Sequence, residues 1–175
     1  MNLEALKSVQ APLKQRYRDD PDSAVVVLRA TGTTDDTGIA CKLDTGRAMA
    51  IAGLHPATGG SGLELCSGDM LLEALVACAG VTLKAVATAL EFRLGGARIT
   101  AEGDLDFRGT LGVAKDAPVG FRAIRLTFDL DTDEPEDRIA TLLKLTERYC
   151  VVFQTINGTP DLSVSAERRS PTAES

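Results

Sequence analysis

Residues 67–90, SGDMLLEALVACAGVTLKAVATAL, make an almost unbroken apolar run whose only charges, counting the residue just beyond, are Asp69, Glu73, Lys84 and Glu91. At 100° per residue these side chains fall within about 60° of one another around a helix axis. The run therefore predicts one helix over 69–92, about 35 Å long, wet along a narrow stripe and facing protein elsewhere. A bilayer span is the rival, but Glu73 and Lys84 inside the run make it costly, and no flanking anchors accompany it. Ala74, Ala77, Ala79, Gly80, Ala85, Ala87 and Ala89 let another helix approach closely. A helix apolar on three sides needs more cover than one sheet supplies, so a second subunit, a homodimer, is expected.

Around this helix the pattern divides cleanly. Leu3, Leu6, Val9, Leu13 and Tyr17 stand at mostly helical spacing, and Pro21 ends that helix, so residues 1–22 read as an N-terminal helical extension. From 23 to 53, AVVVLRATG, GIACKLD and RAMAIAG are short β-type runs separated by turn residues, an antiparallel meander. Alternation at 97–108 and 121–132 puts Ile99, Ala101, Leu105 and Phe107, and Ile124, Leu126, Phe128 and Leu130, on one face of each strand. A helix is predicted over 135–149 with acidic residues in its first turn, where the helix dipole favours them. A last strand is expected near 161–166, and 169–175 is a frayed tail. Strands that segregate from helices indicate an α+β fold with antiparallel sheets, in one domain over 23–168.

Several function classes drop out. A formal charge of -6 gives no electrostatic footprint for DNA, RNA or anionic lipid, so neither nucleic acid nor membrane is an expected partner. The charged, amphipathic start has no apolar signal core, so a cytoplasmic location is expected. Four scattered cysteines, Cys41, Cys66, Cys78 and Cys150, and one histidine, His55, offer no metal cage. The glycine-rich LHPATGGSGLELCSG at 54–68 lacks the Lys-Ser/Thr of a phosphate loop and reads as a loop shaping a pocket at the start of the long helix. His55 either lines that pocket or is a satisfied loop histidine.

The thiols admit two readings. Cys78 lies about 180° from Asp69 on the wheel, and a thiol buried in a helix seam is usually a small hydrophobe with a raised pKa, inert unless a cation or dipole lowers it. Cys150 ends the helix at a junction, where exposure is easier. Cys41 and Cys66 have no distinctive context.

The segment CSGDMLLEALVACAGVTLKAVA resembles the central-helix signature of the OsmC/Ohr family, the osmotically inducible and organic-hydroperoxide-resistance proteins, and ERYCVVFQTI resembles the second signature of that family. The resemblance covers about residues 24–167. It implies an intertwined α+β homodimer with sheets flanking two long central helices, and a thiol peroxidase that reduces organic hydroperoxides without metal, flavin or haem. Cys78 would be the peroxidatic nucleophile and Cys150 the resolving thiol, with an external thiol reductant returning the disulfide to the dithiol. In the family an arginine from a loop between the first strands, paired with a carboxylate ahead of the central helix, activates the thiolate. Here TGTTDD stands in place of Gly-Gly-Arg. Arg29 and Arg47 are the nearby arginines, and Arg47, in a predicted turn, is the candidate. Asp69 corresponds to the carboxylate, either through such an intermediary or as a first-turn helix cap, since nine residues of helix separate it from Cys78 by about 13 Å. Val151 stands where many relatives have proline. The alternative is a non-catalytic module of the same fold that binds a small apolar ligand or a partner protein.

Overall fold

The computed structural model describes residues 2–4, 7, 8, 10, 11, 15, 19, 31–34, 40–44, 49–112 and 114–168, with backbone alone for 31–34, 40–44 and 49. The described residues between Leu3 and Asp19 are helical, as the spacing predicts. Most of the first predicted strand, Arg29 and the turn that carries Arg47 lie outside the described residues.

Strands β1 (Thr31–Thr34), β2 (Ala40–Asp44) and β3 (Met49–Gly53) form the expected meander, with Cys41 opposite Ala52 and Lys42 opposite Ile51. A two-residue strand, β4 (Leu65–Cys66), adds to β3 in parallel, so this sheet is not purely antiparallel. It delivers the chain directly into α1 (Ser67–Ala89). The second sheet is the hairpin of β5 (Gly96–Leu105) and β6 (Phe121–Asp131), paired so that Ile99 faces Phe128 and Ala101 faces Leu126. Alternation sends the predicted apolar set inward, while Arg125 on the outer face holds Asp104 at 2.8 Å. β5 stops two residues before Phe107. Asp106 instead accepts from the Arg108 amide and caps a single turn, α2 (Phe107–Thr110).

Helix α3 (Glu136–Tyr149) starts with Glu136 and Asp137 at its positive end. A shorter helix, α4 (Val151–Asn157), follows after one residue. Helix α1 packs on β5 and against both α3 and α4, giving an α+β architecture with the helices gathered on one face of the hairpin. Leu83, Val86, Ala87, Phe92 and Leu142 make one core cluster, and Leu75, Ala79 and Cys150 a second.

Glu134 locks α1 to α3. Its carboxylate accepts from the Arg93 amide at 3.0 Å and pairs with Arg138 at 3.0 Å, while Arg138 also donates to the Leu90 carbonyl and lies over the Phe92 ring. The Arg93 amide, followed by the two guanidinium charges, holds the Glu134 carboxyl below its ordinary pKa.

One expectation is corrected. Residues 161–166 have the alternation of a strand, but among the described residues no sheet edge receives them. Leu162 and Val164 stand 89% and 99% exposed. Helix α1 is long and apolar enough by composition to cross a bilayer but packs as a core helix along one side, leaving the uncovered apolar surface for which a second subunit is expected. Beside the exposed stripe of Asp69, Glu73, Lys84 and Glu91, an apolar arc of Leu71, Ala74, Ala77 and Val81 also faces outward, Val81 being 73% exposed. The described residues do not cover the central helix.

The end of α1 is a Schellman motif. The amide of Phe92 donates to the Ala87 carbonyl and that of Glu91 to the Thr88 carbonyl, and Phe92 packs back on Ala87. The motif requires left-handed backbone at Glu91, whose φ is +50°. A side chain there is strained, so Glu91→Gly is expected to stabilise the protein by about 0.5–1 kcal/mol, after the added freedom of the unfolded chain is deducted. Denaturant unfolding of the two proteins checks this, and a lower midpoint for the glycine variant would contradict it.

Candidate functional site

Cys78 and Cys150 meet where α1 passes the elbow between α3 and α4. Cys150 is both the last cap of α3 and the first of α4. Its amide donates to Thr146, its carbonyl accepts from Gln154, and its ψ of 106° turns the chain between them. The amphipathic face of α3 and the apolar Val152, Phe153 and Ile156 of α4 share one contact surface with α1. That surface draws Cys150 inward.

The exposures are the reverse of the sequence expectation. Cys150, at the junction, is 1% exposed, while Cys78, in the middle of the helix, is half-buried. Because α1 is covered on one side only, Cys78 lies at the border between its packed face and its open arc. Both thiols are free, as is Cys66.

A short helix leaves its first amides without internal acceptors. Here those of Val151 and Val152 favour the anion of Cys78. Burial works against ionisation of Cys78 and is the largest single influence. The amide of Val152, the Cys150 thiol, the amide of Val151 and the Thr82 hydroxyl outweigh it together and hold the Cys78 pKa below the ordinary thiol value. Burial dominates at Cys150 and raises its pKa, helped by the neighbouring Cys78, while the amides of Phe153 and Val152 offset this only in part. Two adjacent thiols are thus pushed apart, one towards thiolate and the other towards thiol. The mid-helix position of Cys78 provides no amides of its own, but another helix brings them. Among the described residues, no basic side chain contributes to the shift at either sulfur.

This asymmetry orders the reactivity. Ionised at lower pH than a free cysteine, Cys78 is expected to react with iodoacetamide first at neutral pH, and Cys150 only after unfolding or at alkaline pH. Mass mapping of partly alkylated protein checks the order. Equal labelling of the two sites would contradict it.

Asp69 does not join the pair. It sits exposed in the first turn of α1, the position of a dipole-favoured carboxylate. Arg47 lies outside the described residues, so its place relative to Cys78 is not part of this geometry.

A cavity of about 570 Å³ opens beside the thiols, walled by Leu71 and Leu75 of α1, Phe121, Ile124 and Leu126 of β6, and Phe153 and Ile156 of α4. Neither sulfur lines it, but Leu75 and Phe153 of its wall also pack around Cys150. Across Gly120 and Phe121 it borders a second cavity of about 350 Å³ at the start of α1, which includes His55, Cys66 and Gly68. The glycine-rich connection does shape a pocket there. His55 is a satisfied loop residue as well, since its Nδ1 accepts from the Ala57 amide at 3.0 Å and its ring stacks on Phe107. Phe121 can lie against the hairpin because Gly103 beneath it has no side chain; a Cβ there would collide with the ring.

The amides of Val151 and Val152, the elbow at Cys150 and the role of Thr82 all escape the sequence reading. Thr82 stands one turn after Cys78, and that spacing is the one signal available for it.

A family model described as OsmC-like protein matches residues 60–165, more than half of the chain. Among solved structures, an OsmC-like protein from Mycoplasma pneumoniae superposes with a TM-score of 0.64 at 16% identity, covering 77% of this chain and 89% of that one. An organic hydroperoxide resistance protein from Elizabethkingia anophelis, with thiocyanate bound, gives 0.61 at 15%, covering 77% and 91%. One from Legionella pneumophila gives 0.60 at 15%, covering 77% and 93%. No curated protein matches the sequence. At these identities the superpositions speak for the fold, and the family match spans both cysteine segments: the chain belongs to the OsmC-like protein family.

Proposed function

We propose that the protein is a cysteine-based peroxidase that reduces organic hydroperoxides, with Cys78 as the attacking thiolate and Cys150 as the resolving thiol. The observation that carries this reading is the contact of two free thiols whose pKa values are displaced in opposite directions beside an apolar cavity. Burial raises the Cys150 thiol, while the donors around Cys78 outweigh burial there. The Cys78 thiolate attacks the terminal oxygen of ROOH. The O–O bond breaks, Cys78 becomes a sulfenic acid, and the alkoxide takes a proton to leave as ROH. The Cys150 sulfur then displaces hydroxide, which leaves as water, and an S–S bond forms. The two electrons come from the thiol pair. A dithiol reductant restores them by exchange, for which a reducing compartment, the cytosol, is the fitting setting.

Membership of a family that includes hydroperoxide-resistance proteins agrees with this reading. The apolar lining favours a hydrophobic R group. A homodimer belongs to the same proposal, because the open apolar arc of α1 and the alternating residues 161–166, unpaired among the described residues, both call for cover. Titration of free thiols after a small excess of cumene hydroperoxide tests the chemistry. The count should fall by two per chain. An unchanged count would sink the peroxidase and favour a non-catalytic module that holds a small apolar molecule in the same cavity.

A further inference from the structure

We propose that Phe121 sets how long an R group the site accepts, its ring being the partition between the apolar cavity and the smaller cavity at the start of α1.

Phe121 and its neighbour Gly120 line both cavities. The ring stands between them because of what lies on its two sides. Phe121 opens β6 opposite Leu105, just beyond the register shift at Asp104. On the hairpin side, Gly103 of β5 offers bare backbone to the ring, where any side chain would collide with it. On the helix side, the ring tip reaches the first turn of α1, its Cζ standing 3.5 Å from the place a Cβ on Gly68 would take. One half-buried ring thus spans from the hairpin to the long helix, between two glycines that leave room for it.

The apolar cavity has a direction. Leu71 and Leu75 are the α1 residues that wall it, and Leu75 is the one that packs with Cys150. It therefore runs along α1 from the level of the thiols towards the helix start, where Phe121 and Gly68 meet. Leu75 and Gly68 are about 10 Å apart along the axis. With the peroxide group at the thiol end, a compact branched or aromatic R group is held whole in that length. A straight twelve-carbon chain outruns it, meets the ring and leaves methylene groups in water. Beyond the ring lies space of another kind, since the smaller cavity carries His55, Thr58 and Thr110 beside Leu105 and Phe107. Trimming the ring joins the two spaces and gives a long chain somewhere to go. The preference for chain length rests on the peroxidase reading, whereas the partition does not.

Phe121→Ala is the test, with dodecanol as a long chain that does not react. Cys66 lines the smaller cavity and not the larger, and its thiol is free, so its alkylation reports when a chain enters there. In Phe121→Ala, saturating dodecanol should slow iodoacetamide labelling of Cys66 by about fivefold or more, and in the parent by less than about twofold. Turnover should move with it. The ratio of kcat/KM for dodecyl hydroperoxide to that for cumene hydroperoxide should rise about tenfold, the size expected for one or two methylenes brought into apolar contact. The proposal is overturned if dodecanol leaves Cys66 labelling unchanged in Phe121→Ala, or protects Cys66 equally in the parent. It is overturned too if a protein that turns over keeps the parent's ratio. Should the alanine variant fail to fold, Phe121→Leu, which stays apolar and shortens the reach to Gly68, makes the same comparison.

Labelling of Cys66 reports on the partition whether or not peroxide is consumed. Protection confined to Phe121→Ala, without turnover of any hydroperoxide, would overturn only the peroxidase. Turnover with no protection and an unchanged preference would overturn only the role of Phe121.

Discussion

Cys78→Ser is expected to lower turnover of an organic hydroperoxide by about a thousandfold or more, because a serine hydroxyl has no accessible anion to attack the O–O bond. Cys150→Ser is expected to behave differently. It retains Cys78 and the amides of Val151 and Val152, so the first reaction should proceed and consume one equivalent of hydroperoxide per chain. It should then stall as a sulfenic acid that a dimedone-type reagent captures. Rapid-mix kinetics with mass spectrometry distinguish the two variants. The assignment of roles fails if Cys78→Ser still turns over, or if Cys150→Ser shows no burst. The burst rate should rise with pH and level off below the ordinary thiol range, since Cys78 ionises at lower pH than a free cysteine. A plateau reached only in strongly alkaline solution would contradict the amide-assisted thiolate.

The other large effect concerns the frame that brings the thiols together. Leu83 is fully buried among Val86, Phe92 and Leu142, with Ile99 and Phe128 of the hairpin packed against the same cluster. It sits where α1, α3 and the sheet all meet. Leu83→Ala removes apolar surface and leaves a cavity that three elements cannot easily close, so a loss of about 3 kcal/mol is expected. For a chain of this size that lowers the thermal midpoint by roughly 10 °C. A loss below about 1 kcal/mol would mean that the cluster collapses freely and that the α1–α3 contact is looser than the packing indicates.

Much of the fold is legible in the amino-acid sequence. Period-two alternation marks the hairpin from Ile99 to Leu130 almost to the residue, and a period of 3.6 marks α1 and α3, because these patterns follow from which side chains must leave water. Patterns that need a partner mislead. Residues 161–166 alternate as a strand does, but a strand exists only where another backbone completes its hydrogen bonds. Likewise the helical wheel places Cys78 opposite the charged stripe without revealing that it lies at the border between the packed face and the open arc.

For the site, the sequence by itself determined which sulfurs were candidates, since two cysteines stand in two recognisable helical segments 72 residues apart. It also determined that α1 would be a long helix carrying its charges on one stripe. Only the tertiary structure decided that the two cysteines pack into one cluster, that Cys150 rather than Cys78 is the more deeply buried, and that the surroundings of Cys78 hold its pKa below the ordinary thiol value. The physical reason is that a thiol's ionisation depends on which donors surround it in space. Those donors, the Val151 and Val152 amides freed by a helix start, belong to a segment distant in the chain. No periodicity along one stretch of sequence encodes the angle at which two helices bring such groups together.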